Sequence, residues 1–297
     1  MKCDLCPRKC LVDRKKGEKG ICGQTEKLKV ARAALHFWEE PCISGDAGSG
    51  AVFFSGCPLH CVFCQNENIA NGTVGKEISL ERLVDIFLEL QEKGANNINL
   101  VTPGHFVPQI VKALDQARKE GLTLPVVYNT SSYETVDTIK MLEGYVDIYL
   151  PDFKYMSPVL SKKYSHAPDY AEVAKAAIAE MVRQTGKAVF VNGDEDNLIL
   201  RGTIVRHLTL PGCMADSMQI LKYLHETYGD MIYISIMNQF TPLSNLEKYP
   251  ELNRRITDEE YETLVDYAIE IGIENGFIQE GNTAEESFIP AFDCEGV

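Results

Sequence analysis

After residue 50 the sequence alternates between two kinds of segment, and that alternation constrains the fold more than any other feature. Short runs of β-branched and aromatic residues read as strands at Ala51–Ser55, Asn97–Thr102, Val126–Thr130, Val146–Leu150, Thr203–Leu210 and Met231–Met237. Between and after them lie stretches with helical spacing: Leu80–Lys93, Val107–Glu120, Thr135–Leu142, Ala171–Thr185, Ser217–Tyr228 and Asp258–Ile271. Leu80, Leu83, Val84, Phe87 and Leu88 fall on one helical face, and Tyr261, Leu264, Val265, Ala268 and Ile269 repeat that spacing. Thr257 with Glu260 reads as a capping box, and Asp169 reads as a looser cap on the fourth helix. Gly121, Gly186 and Gly272 stand where helices should stop.

Strands joined by helical crossovers lie parallel. Six such units fall two short of a complete (β/α)8 barrel, and no Pro/Ser-rich linker divides them. The expected architecture is therefore α/β, a partial (β/α)6 TIM-like barrel over residues 46–297. A small Cys-rich metal-binding appendage at residues 1–45 precedes it, joined through the Gly-rich turn Ser44–Gly50. In parallel α/β folds the chemistry sits where the βα loops converge, at the C-terminal strand ends. Those ends carry Gly56-Cys57, Thr102-Pro103-Gly104-His105, Asn129-Thr130-Ser131-Ser132, Asp152-Phe153-Lys154, Pro211-Gly212-Cys213 and Asn238-Gln239. Asp152 and Lys154 bring opposite charges to the rim directly after an apolar strand.

Composition excludes several classes. An apolar share of 45% with 24% charged residues supports a large core rather than disorder. The net charge of −14 argues against nucleic acid as a partner. No stretch approaches the roughly 18 apolar residues of a membrane span. The polar start Met1-Lys2-Cys3-Asp4 does not read as a secretory signal, so a cytoplasmic protein with no membrane contact is expected. Charge is uneven: residues 1–32 hold ten Lys/Arg against four Asp/Glu, so the head is basic on an acidic body.

Ten cysteines in a reducing compartment point to metal rather than disulfides. Seven fall into two tight groups, and Cys42, Cys213 and Cys294 stand alone. Cys57-x3-Cys61-x2-Cys64 offers three thiolates, whereas structural zinc closes with four ligands. Three cysteines on a four-iron cube leave one iron free to bind a small molecule. The mostly apolar residues between them keep that loop dry. His60 lies inside the loop, an awkward position for a fourth ligand. Cys3-x2-Cys6-x3-Cys10-x11-Cys22 offers four thiolates, which suit either zinc or a second iron–sulfur cluster.

The triplet, with Phe63 just before its last cysteine and a strand just ahead, resembles the radical S-adenosylmethionine superfamily. Within it, Ser55-Gly56-Cys57, Phe63-Cys64-Gln65-Asn66, Asp152-Phe153-Lys154 and Arg206 ahead of Leu210-Pro211-Gly212 are similar to the pyruvate formate-lyase activating enzyme group. The N-terminal cysteines and Gly276-Phe277-Ile278-Gln279-Glu280 resemble a branch of homologues of that group. The resemblance implies a [4Fe-4S] cluster on Cys57, Cys61 and Cys64, with S-adenosylmethionine bound at the open iron. One-electron cleavage of that cofactor would give a 5′-deoxyadenosyl radical, which abstracts hydrogen from a substrate: an oxidoreductase. A glycyl-radical enzyme as partner substrate and a flavodoxin- or ferredoxin-type electron donor are implied in the same way. Asp152 and Lys154 would help to hold S-adenosylmethionine, Arg206 would face the same cavity, and Phe63, Thr102, Asn129 and Thr130 complete the expected cofactor-binding set. Two positions depart from the group. Thr102-Pro103-Gly104-His105 stands where a Gly-Gly-Glu stretch is usual, and Asn129-Thr130 stands where Asp-Thr is usual, so the expected pocket is less anionic. The alternatives are a free small molecule or peptide as substrate, or a non-catalytic iron–sulfur or zinc module for electron transfer or assembly.

Overall fold

A computed structural model describes residues 2–195, 197–243, 246–279 and 290–297. Its strands are β1 Lys29–His36, β2 Ser49–Phe54, β3 Lys76–Glu77, β4 Ile98–Val101, β5 Val126–Thr130, β6 Ile148–Pro151, β7 Val189–Phe190, β8 Ile199–Leu208, β9 Tyr233–Met237 and β10 Gly276–Ile278. Its α-helices are α1 Pro41–Ser44, α2 Glu67–Ala70, α3 Leu80–Glu92, α4 Val107–Lys119, α5 Val136–Lys140, α6 Pro158–Ser165, α7 Tyr170–Thr185, α8 Met214–Tyr228 and α9 Asp258–Glu270.

Strands β2, β4, β5, β6, β8 and β9 lie side by side, parallel and in chain order. A doubly wound sheet would reverse its order at a switch point. An unreversed run with helical crossovers is the winding of a barrel. Among the described residues the run stays open, with β1 and β3 at one margin and β10 at the other. The fold is the expected partial TIM-like barrel, with one addition: β10 pairs parallel to β9 as a seventh strand. Its segment runs on to Gln279, and Glu280 lies outside the described residues.

The helices cover the outer face. Leu83, Val84, Ile86, Phe87 and Leu90 of α3 are buried against the sheet and α4, each stabilising by about 1.5–3 kcal/mol. In α9 the capping box forms as expected, but only Leu264 and Ala268 are buried, and Ile269 is 68% exposed. Asp169 does not cap α7; its carboxylate accepts from the Tyr133 hydroxyl instead (2.8 Å). Helix α6 was not foreseen. Its eight residues open with Pro158 behind the Ser157 cap, too short to show a periodicity.

The sheet also takes in residues 29–36, which the sequence placed in the appendage. Strand β1 runs antiparallel to β2, with His36 opposite Ser49. The segment after β1 therefore lies at the N-terminal end of the parallel strands, the opposite end from the βα loops. The C-terminal tail crosses the same strand: Ala33 N–H donates to the Glu295 carbonyl, and Cys294 N–H to that of Ala31.

Candidate functional site

The cysteine triplet follows β2 on a loop that bends sharply. Gly56 has φ +92°, and a Cβ there would lie 2.4 Å from the Cys22 carbonyl oxygen, so only glycine fits. His60 is also left-handed (φ 52°), and its Nε2 donates to the Ile21 carbonyl (2.8 Å). That bond makes Nε2 the donor and pins the ring to the N-terminal segment, leaving Nδ1 as its acceptor nitrogen. Phe63 packs edge-on against Tyr155, Tyr164 and Phe240, which keeps the loop's inner side dry. Cys57 Sγ accepts from Leu59 N–H, and Cys61 Sγ accepts from Ser165 Oγ (3.1 Å). Burial pushes the Cys57 thiol up to about 11 and the Cys64 thiol up to about 12, with repulsion from the neighbouring sulfurs adding to it. Lys154 opposes both shifts. Such thiols stay protonated alone and become thiolates when a cation coordinates them.

A cavity of about 260 Å3 opens above this loop. Its lining includes every residue of the expected cofactor set: Cys57, Cys61, Cys64, Phe63, Thr102, Asn129, Thr130, Asp152, Lys154 and Arg206. The sheet register explains the meeting. Asp152 pairs with Arg206 across an isolated bridge at the end of β6, and Asp152 N–H donates to the Thr130 carbonyl. The Asp152 carboxylate accepts from Lys154 Nζ (2.6 Å) and Arg206 Nε (3.0 Å). Burial opposes its charge, but those two cations prevail and hold its carboxyl below the usual range. Thr102 has φ +54°, an uncommon conformation for a β-branched residue, and its N–H donates to the Asn129 carbonyl.

Sequence reasoning missed Glu39. Its side chain, 8% exposed, also lines the cavity, reached from the end of β1. Oε2 accepts from Arg206 Nη1 (3.0 Å), and Oε1 accepts from the side-chain amides of Asn99 and Asn129 (3.1 Å each). Arg206 Nη2 donates in turn to Asn129 Oδ1 (2.7 Å). The cavity is thus more anionic than the strand ends alone imply. Two adjacent acids, Glu39-Glu40, after an apolar stretch were the available signal. A second buried carboxylate, Glu134, stands behind Thr130. It accepts from Thr130 Oγ1 and Tyr128 Oη, and its other oxygen has no hydrogen-bond partner. A Cβ on Gly104 would lie 2.4 Å from both Glu134 oxygens, so the turn after β4 closes down on this acid.

The four N-terminal cysteines form a separate cluster. Cys3 and Val12 are joined by a main-chain bond, Lys9 N–H turns back to the Cys6 carbonyl, and Ile21 N–H donates to Cys10 Sγ (3.2 Å). The Cys10 and Cys22 sulfurs flank Gly20, and Cys6 and Cys22 are buried. Arg14, one of the ten basic residues of the head, is 7% exposed; it donates to the Thr25 and His105 carbonyls and lies over the Phe106 ring. Cys42 is buried, Cys213 is half-buried at the start of α8, and Cys294 lies in the C-terminal tail. Among the described residues, no three His, Cys, Asp or Glu side chains crowd one point closely enough for a single ion. Thiols gripping separate corners of a cube, three here or four in the head, need not do so; a single zinc ion in the head would have to draw its four sulfurs closer together.

The family model of the Radical SAM superfamily matches residues 51–199, half of the chain. The chain belongs to this superfamily. A radical SAM protein uses a [4Fe-4S] cluster and S-adenosylmethionine, and a cavity walled by three thiols and opposed charges suits both. The chain is 27% identical over 276 residues to the uncharacterized protein MJ0674 of Methanocaldococcus jannaschii, covering 90% of this chain and 74% of that one. Its fold is similar to Streptococcus suis SuiB bound to S-adenosylmethionine (TM-score 0.52, 14% identity, 78% of this chain). It is similar also to HydG, a maturase of the [FeFe]-hydrogenase (TM-score 0.51, 15% identity, 76% of this chain). The chain spans about half the length of each of these two solved proteins. None of its described helices is long and apolar enough to cross a membrane.

Proposed function

We propose that this radical SAM enzyme holds its [4Fe-4S] cluster on Cys57, Cys61 and Cys64 and cleaves S-adenosylmethionine in the cavity above them. The reading is carried by one observation: the three thiols share a single cavity with Asp152, Lys154 and Arg206. A cluster held by Cys57, Cys61 and Cys64 would supply the single electron that reductive cleavage of S-adenosylmethionine needs, and the chemistry it would support is hydrogen abstraction from a substrate. The residues do the rest. Glu39 and Asp152 offset the two cations and leave the interior receptive to a sulfonium. Backbone carbonyls at Thr102 and the Asn129 and Thr130 side chains can receive an ammonium. Phe63 and its aromatic neighbours exclude water from the cluster side.

Among substrates, the resemblance of Ser55-Gly56-Cys57, Phe63-Cys64-Gln65-Asn66 and Asp152-Phe153-Lys154 to pyruvate formate-lyase activating enzymes favours a glycyl-radical activase acting on a partner protein. A peptide substrate is the second reading, since SuiB, of similar fold, has been seen bound to the precursor peptide SuiA. The four N-terminal thiols hold zinc or a second cluster in this reading. The test is anaerobic reconstitution with S-adenosylmethionine and a strong reductant, scoring 5′-deoxyadenosine. Cys61→Ala should abolish the product. Undiminished product from that variant rules out the cluster assignment, and a cluster unresponsive to S-adenosylmethionine favours an electron-transfer module instead.

A further inference from the structure

Each interval between the N-terminal cysteines is tied to the barrel, and two of the ties grip the cluster loop. Between Cys3 and Cys6, the Leu5 carbonyl accepts from Thr138 Oγ1 (2.6 Å) and Thr135 Oγ1 (3.3 Å) at the start of α5. Between Cys6 and Cys10, the Arg8 guanidinium donates to four main-chain carbonyls: Pro58 (2.9 Å), Leu59 (3.5 Å), Ser165 (3.1 Å) and His166 (2.6 Å). It also lies 5.1 Å over the Tyr133 ring. Between Cys10 and Cys22, the Ile21 carbonyl takes the His60 bond, and at Cys22 itself the carbonyl lies where a Cβ on Gly56 would meet it.

Arg8 is the strongest of these ties. Its planar fork satisfies the C-terminal carbonyls of α6 and two carbonyls inside the Cys57–Cys61 turn at once, a geometry that lysine cannot reproduce. The effect reaches the sulfur. Ser165, whose carbonyl Arg8 holds, donates its hydroxyl to Cys61 Sγ (3.1 Å), and Val62 N–H is held by the neighbouring Tyr164 carbonyl. Arg8 can stand there only while the Cys6–Cys10 turn is formed, with Lys9 left-handed (φ 40°). Among the described residues, 2–28 hold no regular element beyond the 3-10 turn Arg14–Lys16 to fix that turn. Four thiolates closed on a metal would fix it.

We propose that the N-terminal head is a metal-set clamp on the cluster loop. Metal at Cys3, Cys6, Cys10 and Cys22 orders the Cys6–Cys10 turn, and Arg8 passes that order to the loop as its positioning residue. The inference rests on the cluster reading above. It predicts that emptying the head loosens the second site without touching its three cysteines.

The test uses full-length, anaerobically reconstituted protein. A Cys57→Ala, Cys61→Ala, Cys64→Ala triple variant first reports, by elemental analysis, the zinc or iron that the head holds alone. Loop-cluster stability is then read as the rate of iron loss to a chelator, for which removal of an outer contact typically costs about tenfold or more. Arg8→Gln should lose iron about tenfold faster while keeping the head's metal. Cys6→Ser should do so while losing that metal, and the double variant should be no faster than either single one. Arg8→Lys should fall nearer to glutamine than to the parent. Iron loss at the parent rate from Cys6→Ser with an empty head, or from Arg8→Gln, overturns the clamp, as does a head that binds no metal in the triple variant. A triple variant with as much iron as the parent instead overturns the cluster reading. The clamp is then decided by amide hydrogen exchange over residues 57–64, comparing metal-loaded with chelated protein. Slower exchange when loaded, lost in Arg8→Gln, supports it, and equal exchange rejects it.

Discussion

Replacing Glu39 with glutamine tests whether the barrel interior is built as an electrostatic unit. Glu39 is almost fully buried and accepts three hydrogen bonds, from Arg206 Nη1 on one oxygen and from Asn99 and Asn129 on the other. All three partners are donors. A glutamine amide can face its oxygen to the asparagines or to Arg206, never to both, so in either orientation its NH2 confronts a donor. The change also strips a charge from a buried guanidinium. Breaking a buried pair by removing one partner costs about 3–5 kcal/mol, which for a domain of this size corresponds to a fall of roughly 5–15 °C in Tm. Asp152 would then face Lys154 and Arg206 alone, leaving an interior that repels a sulfonium.

Glu40 provides the control, because it is buried one residue away in a different chemical state. Burial raises its carboxyl above the usual range, ahead of the opposing pull of Arg206, and Ser235 donates to it. Glutamine resembles that neutral acid, so Glu40→Gln should cost less than about 1 kcal/mol. The assay is thermal melting of cluster-free protein at fixed scan rate, followed by equilibrium dialysis of S-adenosylmethionine on reconstituted protein. Glu39→Gln should melt well below Glu40→Gln and bind the cofactor more weakly. If Glu39→Gln melts within about a degree of the parent, or if the two variants fall together, the interior is not the charge-balanced unit described.

Two further outcomes follow from the same geometry. Burial raises the Glu134 carboxyl from its ordinary 4.5 to about 7, against the opposing bonds from Thr130 and Tyr128. The unfolded chain releases this proton from about pH 4.5 upward while the folded chain keeps it to about pH 7, so stability from this group is present below that window and drains away across it. The loss is about 3 kcal/mol, and urea midpoints of cluster-free protein should show that slope removed in Glu134→Gln; an unchanged slope would place its origin elsewhere. Gly56→Ala would force a Cβ to within 2.4 Å of the Cys22 carbonyl oxygen at a φ of +92°. The resulting shift of backbone costs about 1–3 kcal/mol or more, and iron uptake at the cysteine triplet should fall with it; normal iron content would show that the head yields instead.

The strand ends were legible because parallel winding obeys a positional rule. Whatever follows an apolar strand arrives at one rim, so Cys57, Thr102, Asn129, Asp152 and Lys154 could be grouped before any contact was known. Arg206 needed more, since it lies within β8 rather than after it, and the likeness to a known family supplied that residue. Glu39 was illegible for a specific reason. Strand β1 reads Lys-Val-Ala-Arg-Ala-Ala-Leu-His, too rich in alanine to alternate and too polar for a buried run. Its small side chains suit a strand flanked by β2 on one side and by the C-terminal tail on the other, a crowding that exists only in the folded chain.

The same strand explains how one cavity comes to be closed from two directions. Because β1 is antiparallel, it delivers Glu39 from the end of the barrel opposite the βα loops, and Arg206, paired level with Asp152, joins that acid to Asp152 at the rim. A cation entering the cavity therefore meets two carboxylates tied to a common guanidinium. Displacing Asp152 from either of its cations redistributes charge down to Glu39 within two hydrogen bonds. Binding at the rim and stability at the floor are in this way parts of one network, and substitutions at Glu39, Arg206 and Asp152 should be strongly non-additive. A double-mutant cycle between Glu39→Gln and Asp152→Asn is the direct measure. The two residues share no contact, so additivity within about 0.5 kcal/mol would mean that Arg206 serves each acid independently.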